Sequence, residues 1–253
     1  MAETLLRHEE SKGVHRLTMN HGPNALDRPL LDALRSELRR LVSSGAPAVI
    51  LTSAHPSLFC PGWDLKLLAD APREDVGDFL AEFNALVFEL FSYPGPTAAE
   101  IGGHAVAAGC QLSIACDLRV MSSGQPRLGL SELNLGVPVP GHSLRMLRTR
   151  LSSPAVDDLV FRGEGCTAAR ARELGLIHRV ASPDELTAVT AHEMARLAGR
   201  PRRAFVETKR LLLSAVWAEM SEPAPDEDAA FLECWFATET HERITGVSSR
   251  LRR

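Results

Sequence analysis

The stretch GHAVAAGCQLSIACD, Gly103 to Asp117, combines a turn of small residues with an apolar segment. One amide, Gln111, lies where the two meet. The residues before it, Thr97–Gly103, predict a strand, and those from Gln111 onward predict a helix. The first N–H groups of a helix have no intrahelical partner and lie at the positive end of the helix dipole. The turn is therefore a candidate site for a carbonyl oxygen.

A second turn has the same design. In FCPGWDL, Phe59 to Leu65, a predicted strand leads through a glycine turn into a helix, for which Asp64 is a suitable N-cap. Two such turns facing each other would direct two main-chain N–H groups at one oxygen, which is an oxyanion hole. Strand–glycine–helix turns are common, so either turn alone more often indicates a purely structural connection.

A third segment, LGLSELNLGVPVPGH (Leu128–His142), contains a lone carboxylate, Glu132, among apolar residues, glycines and prolines. Such a glutamate is either a surface or capping residue, or a partly buried group with a raised pKa. In the second case it is a candidate general base.

Composition narrows the class of protein. The chain has 253 residues, 45% of them hydrophobic, and a net charge of −4, which argues against a nucleic-acid-binding protein. The basic clusters RPRRAF (Arg200–Phe205) and SRLRR (Ser249–Arg253) leave phosphate or nucleic-acid contact open as an alternative to solvated surface.

The five cysteines form no CxxC pair, so no metal site is expected. The first residues lack the apolar core of a secretory signal, and no apolar run reaches the ~18 residues of a membrane span. These features predict a cytoplasmic protein with free thiols.

The pattern of elements predicts an α/β protein. Alternating and apolar runs predict strands in the first half, such as Val14–Met19 and Pro47–Ser53, while the second half is mainly helical. The acidic, proline-bearing segment Ser221–Ala229 predicts a loop. We expect a core over residues 1–195 and a helical C-terminal part over residues 196–253.

The ordered motifs resemble the enoyl-CoA hydratase/isomerase (crotonase) family. The resemblance covers nearly the whole chain and is carried by PNAL (Pro23–Leu26), FCPGWDL, GHAVAAGCQ, SELNLGVPVP and AARARELGLIHRV. It implies a spiral core of ββα units with a helical C-terminal trimerisation region, in a homotrimer or a dimer of trimers. It also implies an acyl-CoA thioester substrate; coenzyme A enters with the substrate, and no separate cofactor or metal is expected.

The resemblance also implies the roles of individual residues. The oxyanion donors correspond to the main-chain N–H groups of Trp63 and Ala108. Of two family glutamates, the second corresponds to Glu132 and the first to Gln111. Contacts with the substrate or coenzyme A are assigned to Ala25, Cys60, Pro61, Gly62, Asp64, Lys66, Gly109 and Lys209, the two lysines being candidates for its phosphates.

Gln111 decides between reactions. An amide accepts and donates hydrogen bonds but does not exchange a proton near neutral pH, so a hydratase mechanism with two carboxylates loses one of them. Shifting a double bond needs a single base, and the pattern resembles single-carboxylate enoyl-CoA isomerases, with Glu132 as acid and base. The alternatives are a hydratase in which Gln111 positions water, another hydrolase or decarboxylase of the family, and a non-catalytic acyl-CoA binder.

The aromatic residues allow two interpretations. The indole of Trp63 either packs in the core or narrows the acyl pocket. Phe231, Trp235 and Phe236 are expected to serve helix packing rather than ligand binding.

Overall fold

The structure is a computed structural model that describes residues 4–251. Within that range the chain forms nine strands: β1 (Leu6–Ser11), β2 (Val14–Met19), β3 (Ala48–Ser53), β4 (Leu58–Cys60), β5 (Thr97–Ile101), β6 (His104–Val106), β7 (Leu118–Ser122), β8 (Leu128–Gly129) and β9 (Arg179–Ala181). The same range contains twelve helices: α1 (Arg28–Ser43), α2 (Leu65–Leu68), α3 (Arg73–Phe91), α4 (Ala108–Ala115), α5 (Glu132–Leu135), α6 (Gly141–Arg150), α7 (Ser153–Arg162), α8 (Ala168–Glu173), α9 (Leu186–Ala198), α10 (Arg202–Ser221), α11 (Pro225–Trp235) and α12 (Thr238–Leu251).

The strands form two sheets that the chain visits alternately. The larger sheet has the order β1-β2-β3-β5-β7-β9, and the smaller has the order β4-β6-β8. All pairings are parallel except β1 with β2. Each of the pairs β3–β4, β5–β6 and β7–β8 contributes one strand to each sheet and is followed by a helix. This repetition is the predicted spiral of ββα units, so the predicted α/β fold is confirmed.

Strand β3 shows how one sheet separates two apolar layers. Val49 and Leu51 join the main core, whereas Ala48 and Ile50 point to a smaller cluster that includes Leu186 of α9. Alternate side chains of a strand face opposite sides, so the apolar run Ala48–Leu51 is suited to burial on both faces.

Helix α1 illustrates the local signals that place the helices. Asp27 accepts a hydrogen bond from the N–H of Leu30 and caps the helix, and a proline occupies the first turn. Its buried leucines recur at helical spacing: Leu30, Leu31, Leu34, Leu38 and Leu41. The helix predicted between Leu30 and Gly45 is thus present and begins slightly earlier.

The C-terminal part departs from the prediction in one respect. The predicted loop Ser221–Ala229 is confirmed only for residues 222–224, because α10 extends to Ser221 and α11 begins at Pro225. Proline suits the first turn of a helix, and the acidic residues that suggested a loop lie in that first turn, where they favour the helix dipole. Helix α11 packs on α3, and α12 packs on α2 and α5.

Two further predictions concern the C-terminal part. The division at residue 195 falls inside α9 and stays a prediction. The last residues of the basic segment SRLRR, Arg252 and Arg253, lie outside the described residues. No helix in the described range is long and apolar enough to cross a membrane.

Candidate active site

The two turns singled out in the sequence touch each other. Strands β4 and β6 are parallel neighbours, so the turns that follow them leave the small sheet at the same edge. A Cβ placed on Gly109 would lie 2.0 Å from the carbonyl oxygen of Cys60, and one on Gly62 would lie 3.2 Å from Cβ of Ala107. A side chain at Gly109 would therefore force the turns apart, and one at Gly62 would be disfavoured by its φ of +112°.

In the first turn, the main-chain N–H of Trp63 points away from the neighbouring segment that contains Leu26. The N–H of Leu26 donates to the carbonyl of Gly62, and the N–H of Asp64 donates to the carbonyl of Leu26, both at 2.8 Å. These two bonds form a parallel bridge in which Trp63 lies between the bonded residues. The N–H of Trp63 therefore points to the side opposite Leu26. Asp64 caps α2 by accepting from the N–H of Lys66, as the sequence predicts.

The second turn starts α4 abruptly. Ala107 has φ +50° and ψ −119°, a conformation that residues with a side chain rarely adopt. Its N–H donates to the carbonyl of Gly129, and its carbonyl accepts from the N–H of Gln111. Ala108 is the first helical residue, so its N–H belongs to the group without intrahelical partners. Trp63 and Ala108 both line one cavity, so their main-chain N–H groups are candidate donors to a carbonyl oxygen bound there.

Glu132 begins α5 and is buried beside this cavity. Its Oε1 accepts a hydrogen bond of 2.6 Å from Nε2 of Gln111, while Oε2 has no hydrogen-bond partner among residues 4–251. Burial raises the pKa of Glu132 to about 7, against the weaker opposing effect of hydrogen bonds from the main chain and Gln111. A carboxyl group with this pKa can both take up and return a proton near neutral pH.

The cavity has a volume of about 520 Å³ and brings most of the predicted site residues together. Those that line it are Ala25, Pro61, Gly62, Trp63, Asp64, Lys66, Ala108, Gln111 and Glu132. Cys60 and Gly109 are not among the lining residues; they form the contact that holds the two turns together.

The prediction for Lys209 needs correction. Its ammonium group is buried, pairs with Asp117 at 2.7 Å and donates to the carbonyl of Gly95 at 3.3 Å. Lys209 is also not among the residues that line the cavity. Because both the burial and the ion pair keep it from an exposed phosphate, Lys209 is a structural residue here.

Aromatic side chains form one wall of the cavity. The ring of Trp63 lies with centroid distances of 5.0–5.6 Å from four other rings, those of Phe79, Phe83, Phe231 and Trp235. Trp63 therefore packs in an aromatic cluster and also shapes the cavity, so both interpretations of it apply. Phe231 and Trp235 also line the cavity, which sequence reasoning missed. Phe236 is partly exposed and contacts the guanidinium of Arg73 instead.

Neither cysteine near the turns is suited to act as a nucleophile. Burial raises the pKa of Cys60 to about 12, and burial also raises the pKa of Cys110 well above its ordinary value. Only the thiolate is a strong nucleophile, so both side chains serve packing at neutral pH. Within the described residues, no group of three or more His, Cys, Asp or Glu side chains is placed to hold a metal ion.

The spiral of ββα units and the helical C-terminal part define an α/β protein of the crotonase type. A family model described as enoyl-CoA hydratase/isomerase matches residues 9–246, and the chain belongs to this family.

Mouse mitochondrial methylglutaconyl-CoA hydratase is 32% identical to this chain over 183 residues, which cover 70% of this chain and 58% of that protein. The match therefore spans less than two thirds of the mouse protein. A probable enoyl-CoA hydratase of Mycobacterium tuberculosis is 30% identical over 203 residues, with 78% of this chain and 77% of that protein covered. The crystal structure of human mitochondrial delta3-delta2-enoyl-CoA isomerase has the same fold, with a TM-score of 0.93, 20% identity and 98% of both chains covered.

Proposed function

We propose that this chain moves the double bond of a 3-enoyl-CoA thioester to give the 2-enoyl-CoA, with Glu132 as acid and base. The observation that carries this proposal is the Gln111–Glu132 pair. One partner is a buried carboxyl group with a pKa of about 7, and the other is an amide that does not exchange protons. The second carboxylate that lines the cavity, Asp64, is engaged in capping α2.

The reaction needs one proton to leave and one to return. Oε2 of Glu132 takes a proton from C2 of the substrate, and the electron pair of that C–H bond spreads into a dienolate. The negative charge on the thioester oxygen is stabilised by the N–H groups of Trp63 and Ala108. Glu132, now protonated, gives its proton to C4, which restores the enzyme and leaves the double bond between C2 and C3.

Hydration of a 2-enoyl-CoA is the second candidate. Two relatives at 30–32% identity are named as hydratases, and Gln111 keeps a second N–H that can hold a water molecule. In this reaction Glu132 would have to take the proton of the water and also supply the proton for C2. When water adds in one concerted step, the two transfers happen together and need two groups, one ionised and one protonated. Isomerisation moves a proton out and back in sequence, so a single carboxyl group suffices for it.

The test is incubation of the protein in heavy water with a 3-enoyl-CoA and, separately, with a 2-enoyl-CoA, followed by mass analysis of the products. We expect the 3-enoyl-CoA to become the 2-enoyl-CoA with deuterium exchange and without added water, and Glu132→Gln to abolish this conversion. Water addition to the 2-enoyl-CoA, in wild type but not in Glu132→Gln, would favour the hydratase. No conversion of either thioester, together with binding by calorimetry, would favour a non-catalytic acyl-CoA binder.

The proposal includes how coenzyme A is held. Lys66 lines the cavity directly after the capping residue of α2, so we assign it a contact with a phosphate of coenzyme A, which forms part of the substrate. Calorimetric titration of coenzyme A into Lys66→Met tests this, because loss of a phosphate contact weakens binding and reduces its dependence on salt.

We further propose a homotrimer or a dimer of trimers in the cytoplasm. Helix α10 exposes the large apolar side chains of Leu211 and Leu212, which suits contact with another copy of the chain. All five cysteines are free thiols, which suits a reducing compartment. The mouse relative is named as mitochondrial. Sedimentation equilibrium and cell fractionation test the two statements.

A further inference from the structure

Three buried polar side chains form a chain of hydrogen bonds that ends at the proposed catalytic carboxyl group. The hydroxyl of Ser143 donates to Oε1 of Gln111, and Nε2 of Gln111 donates to Oε1 of Glu132. The three residues come from α6, α4 and α5, and their exposed fractions are 0%, 2% and 6%. In such a buried set each hydrogen bond affects the others, and the one polar atom of the set left without a partner among residues 4–251 is Oε2 of Glu132.

Gln111 can turn either end of its amide toward Glu132. An ionised carboxylate only accepts hydrogen bonds, so it needs the NH₂ end, and the carbonyl end must then find a donor elsewhere in the protein. Ser143 is that donor. Without its hydroxyl, the same orientation of Gln111 would leave a buried carbonyl oxygen unpaired, which is unfavourable.

We propose that Ser143 is a positioning residue for Glu132. By donating to Oε1 of Gln111, it holds the amide N–H on Oε1 of Glu132 and leaves Oε2 as the oxygen that exchanges the proton. The inference rests on the proposed function in that Glu132 is the acid and base. Ser143 itself is not among the residues that line the cavity and acts only through Gln111.

The surroundings of Glu132 make this role measurable. Burial raises its pKa, and the opposing effects come from the main chain at Glu132, from Gln111 of α4 and from the main chain at Ser131. Within residues 4–251, no ionised side chain is among these influences. The neighbouring Cys110 thiol is neutral, and Asp64 and Lys66 lie elsewhere on the cavity lining. A change in the hydrogen bond from Gln111 therefore appears directly in the titration of Glu132.

The experiment follows the infrared band of the protonated carboxyl group of Glu132 against pH in the full chain without ligand. Glu132→Gln identifies the band by removing it. We expect a midpoint of about 7 in wild type. In Ser143→Ala the midpoint should rise by about one pH unit, since a hydrogen bond to a charged group is weakened. Ser143→Thr keeps the hydroxyl and should restore the wild-type midpoint.

The matched control is Ser113→Ala. Ser113 is also fully buried, but its hydroxyl donates to the main-chain carbonyl of Cys110. It is therefore not part of the chain of hydrogen bonds from Ser143 to Glu132. Its removal should leave the midpoint unchanged. If Ser143→Ala does not fold, Ser143→Cys, which has a similar shape and a weaker donor, should show a smaller rise.

A folded Ser143→Ala with an unchanged midpoint, or an equal rise in Ser113→Ala, would overturn the positioning role. Because the band is read without substrate, this result is independent of whether the protein turns over enoyl-CoA. If the protein does turn over enoyl-CoA, Ser143→Ala should lower kcat more than it changes KM. The apparent pKa of Glu132 in the pH–rate profile should then shift by the same amount as the infrared midpoint.

Discussion

Two carboxylates with little exposure, the buried Glu132 and the half-buried Asp117, have opposite surroundings. Asp117 follows α4 and contacts the ammonium of Lys209 at 2.7 Å and the guanidinium of Arg150 at 2.9 Å. It also accepts hydrogen bonds from the N–H and the hydroxyl of Thr97. Glu132 has the amide of Gln111 and one oxygen without a partner in the described part of the chain.

The two environments shift the pKa in opposite directions. Burial alone would raise the pKa of both groups. For Asp117 the charges of Lys209 and Arg150 outweigh burial and hold its pKa below the ordinary value. For Glu132 burial prevails and raises the pKa to about 7. The same short stretch of sequence, Gly103–Asp117, thus contributes an amide to a proton-transfer site and a charge to a structural cluster.

This difference in pKa gives the two carboxylates different roles. The Asp117 cluster joins α6 and α10 to the large sheet through paired charges, and it has no group free to exchange a proton. The Glu132 site keeps one carboxyl group unpaired by charge, which costs stability but provides a proton acceptor at neutral pH. Substitution of Glu132 should therefore lower enzymatic turnover, whereas substitution of Asp117 should lower the free energy of unfolding.

The largest expected effect is the loss of activity in Glu132→Gln. Removing the only proposed acid and base should lower turnover of a 3-enoyl-CoA by roughly 10²–10⁴-fold, while the protein stays folded. The measurement is initial rate against substrate concentration. The comparison variant is Asp117→Asn, assayed under conditions where it is folded, which should retain turnover per folded molecule. Equal losses in both variants would remove the distinction between the two sites.

The next effect concerns stability. Asp117→Asn leaves the buried Lys209 and the half-buried Arg150 without their counter-charge, and breaking a buried ion pair in this way typically costs about 3–5 kcal/mol. We expect that decrease in the free energy of unfolding, measured by urea denaturation. Adding Lys209→Met should recover part of it, because one uncompensated charge is removed. A decrease below about 1 kcal/mol would mean that the cluster is solvated and not structural.

The sequence indicates much of the site because its motifs are local. Glycine turns, a capping Asp64 and a glutamate among apolar residues all lie within short segments, and the fold brings these segments together as expected. Gln111 could be placed at the start of a helix for the same reason, although only the structure shows what its amide contacts.

The sequence itself holds a signal against a phosphate contact for Lys209. Lys209, Leu213, Val216 and Met220 recur at helical spacing, and all four are buried on one face of α10. A lysine in register with an apolar face is expected to be buried and paired, rather than to contact an exposed ligand.

Ser143, Phe231 and Trp235 could not be placed from the sequence. Phe231 and Trp235 share a helix face, but whether that face meets a cavity depends on how α11 packs on α3. The contact of Ser143 with Gln111 joins residues 32 positions apart in different helices, and no local pattern marks it.

The smallest expected effect is a pH-dependent gain in stability for Glu132→Gln. The pKa of Glu132 is raised from 4.5 to about 7 on folding. The unfolded chain therefore releases this proton first, and the stabilisation that the protonated group provides below about pH 4.5 is lost as pH rises through 7. Glutamine has no proton to lose. The variant should therefore match wild type near about pH 4.5 and exceed it by about 3 kcal/mol above about pH 8.

Calorimetric unfolding over this range measures the difference, and Asp117→Asn serves as the opposite control. The pKa of Asp117 is lowered on folding, so its contribution is present above the pKa of the unfolded chain and is lost as pH falls through the folded value. The deficit of Asp117→Asn should therefore shrink toward acid, whereas the advantage of Glu132→Gln grows toward alkali. If the difference in unfolding free energy between Glu132→Gln and wild type did not change with pH, the carboxyl group of Glu132 would have the same pKa in the folded and unfolded chain. Glu132 would then not be better suited than Asp117 to accept a proton at neutral pH.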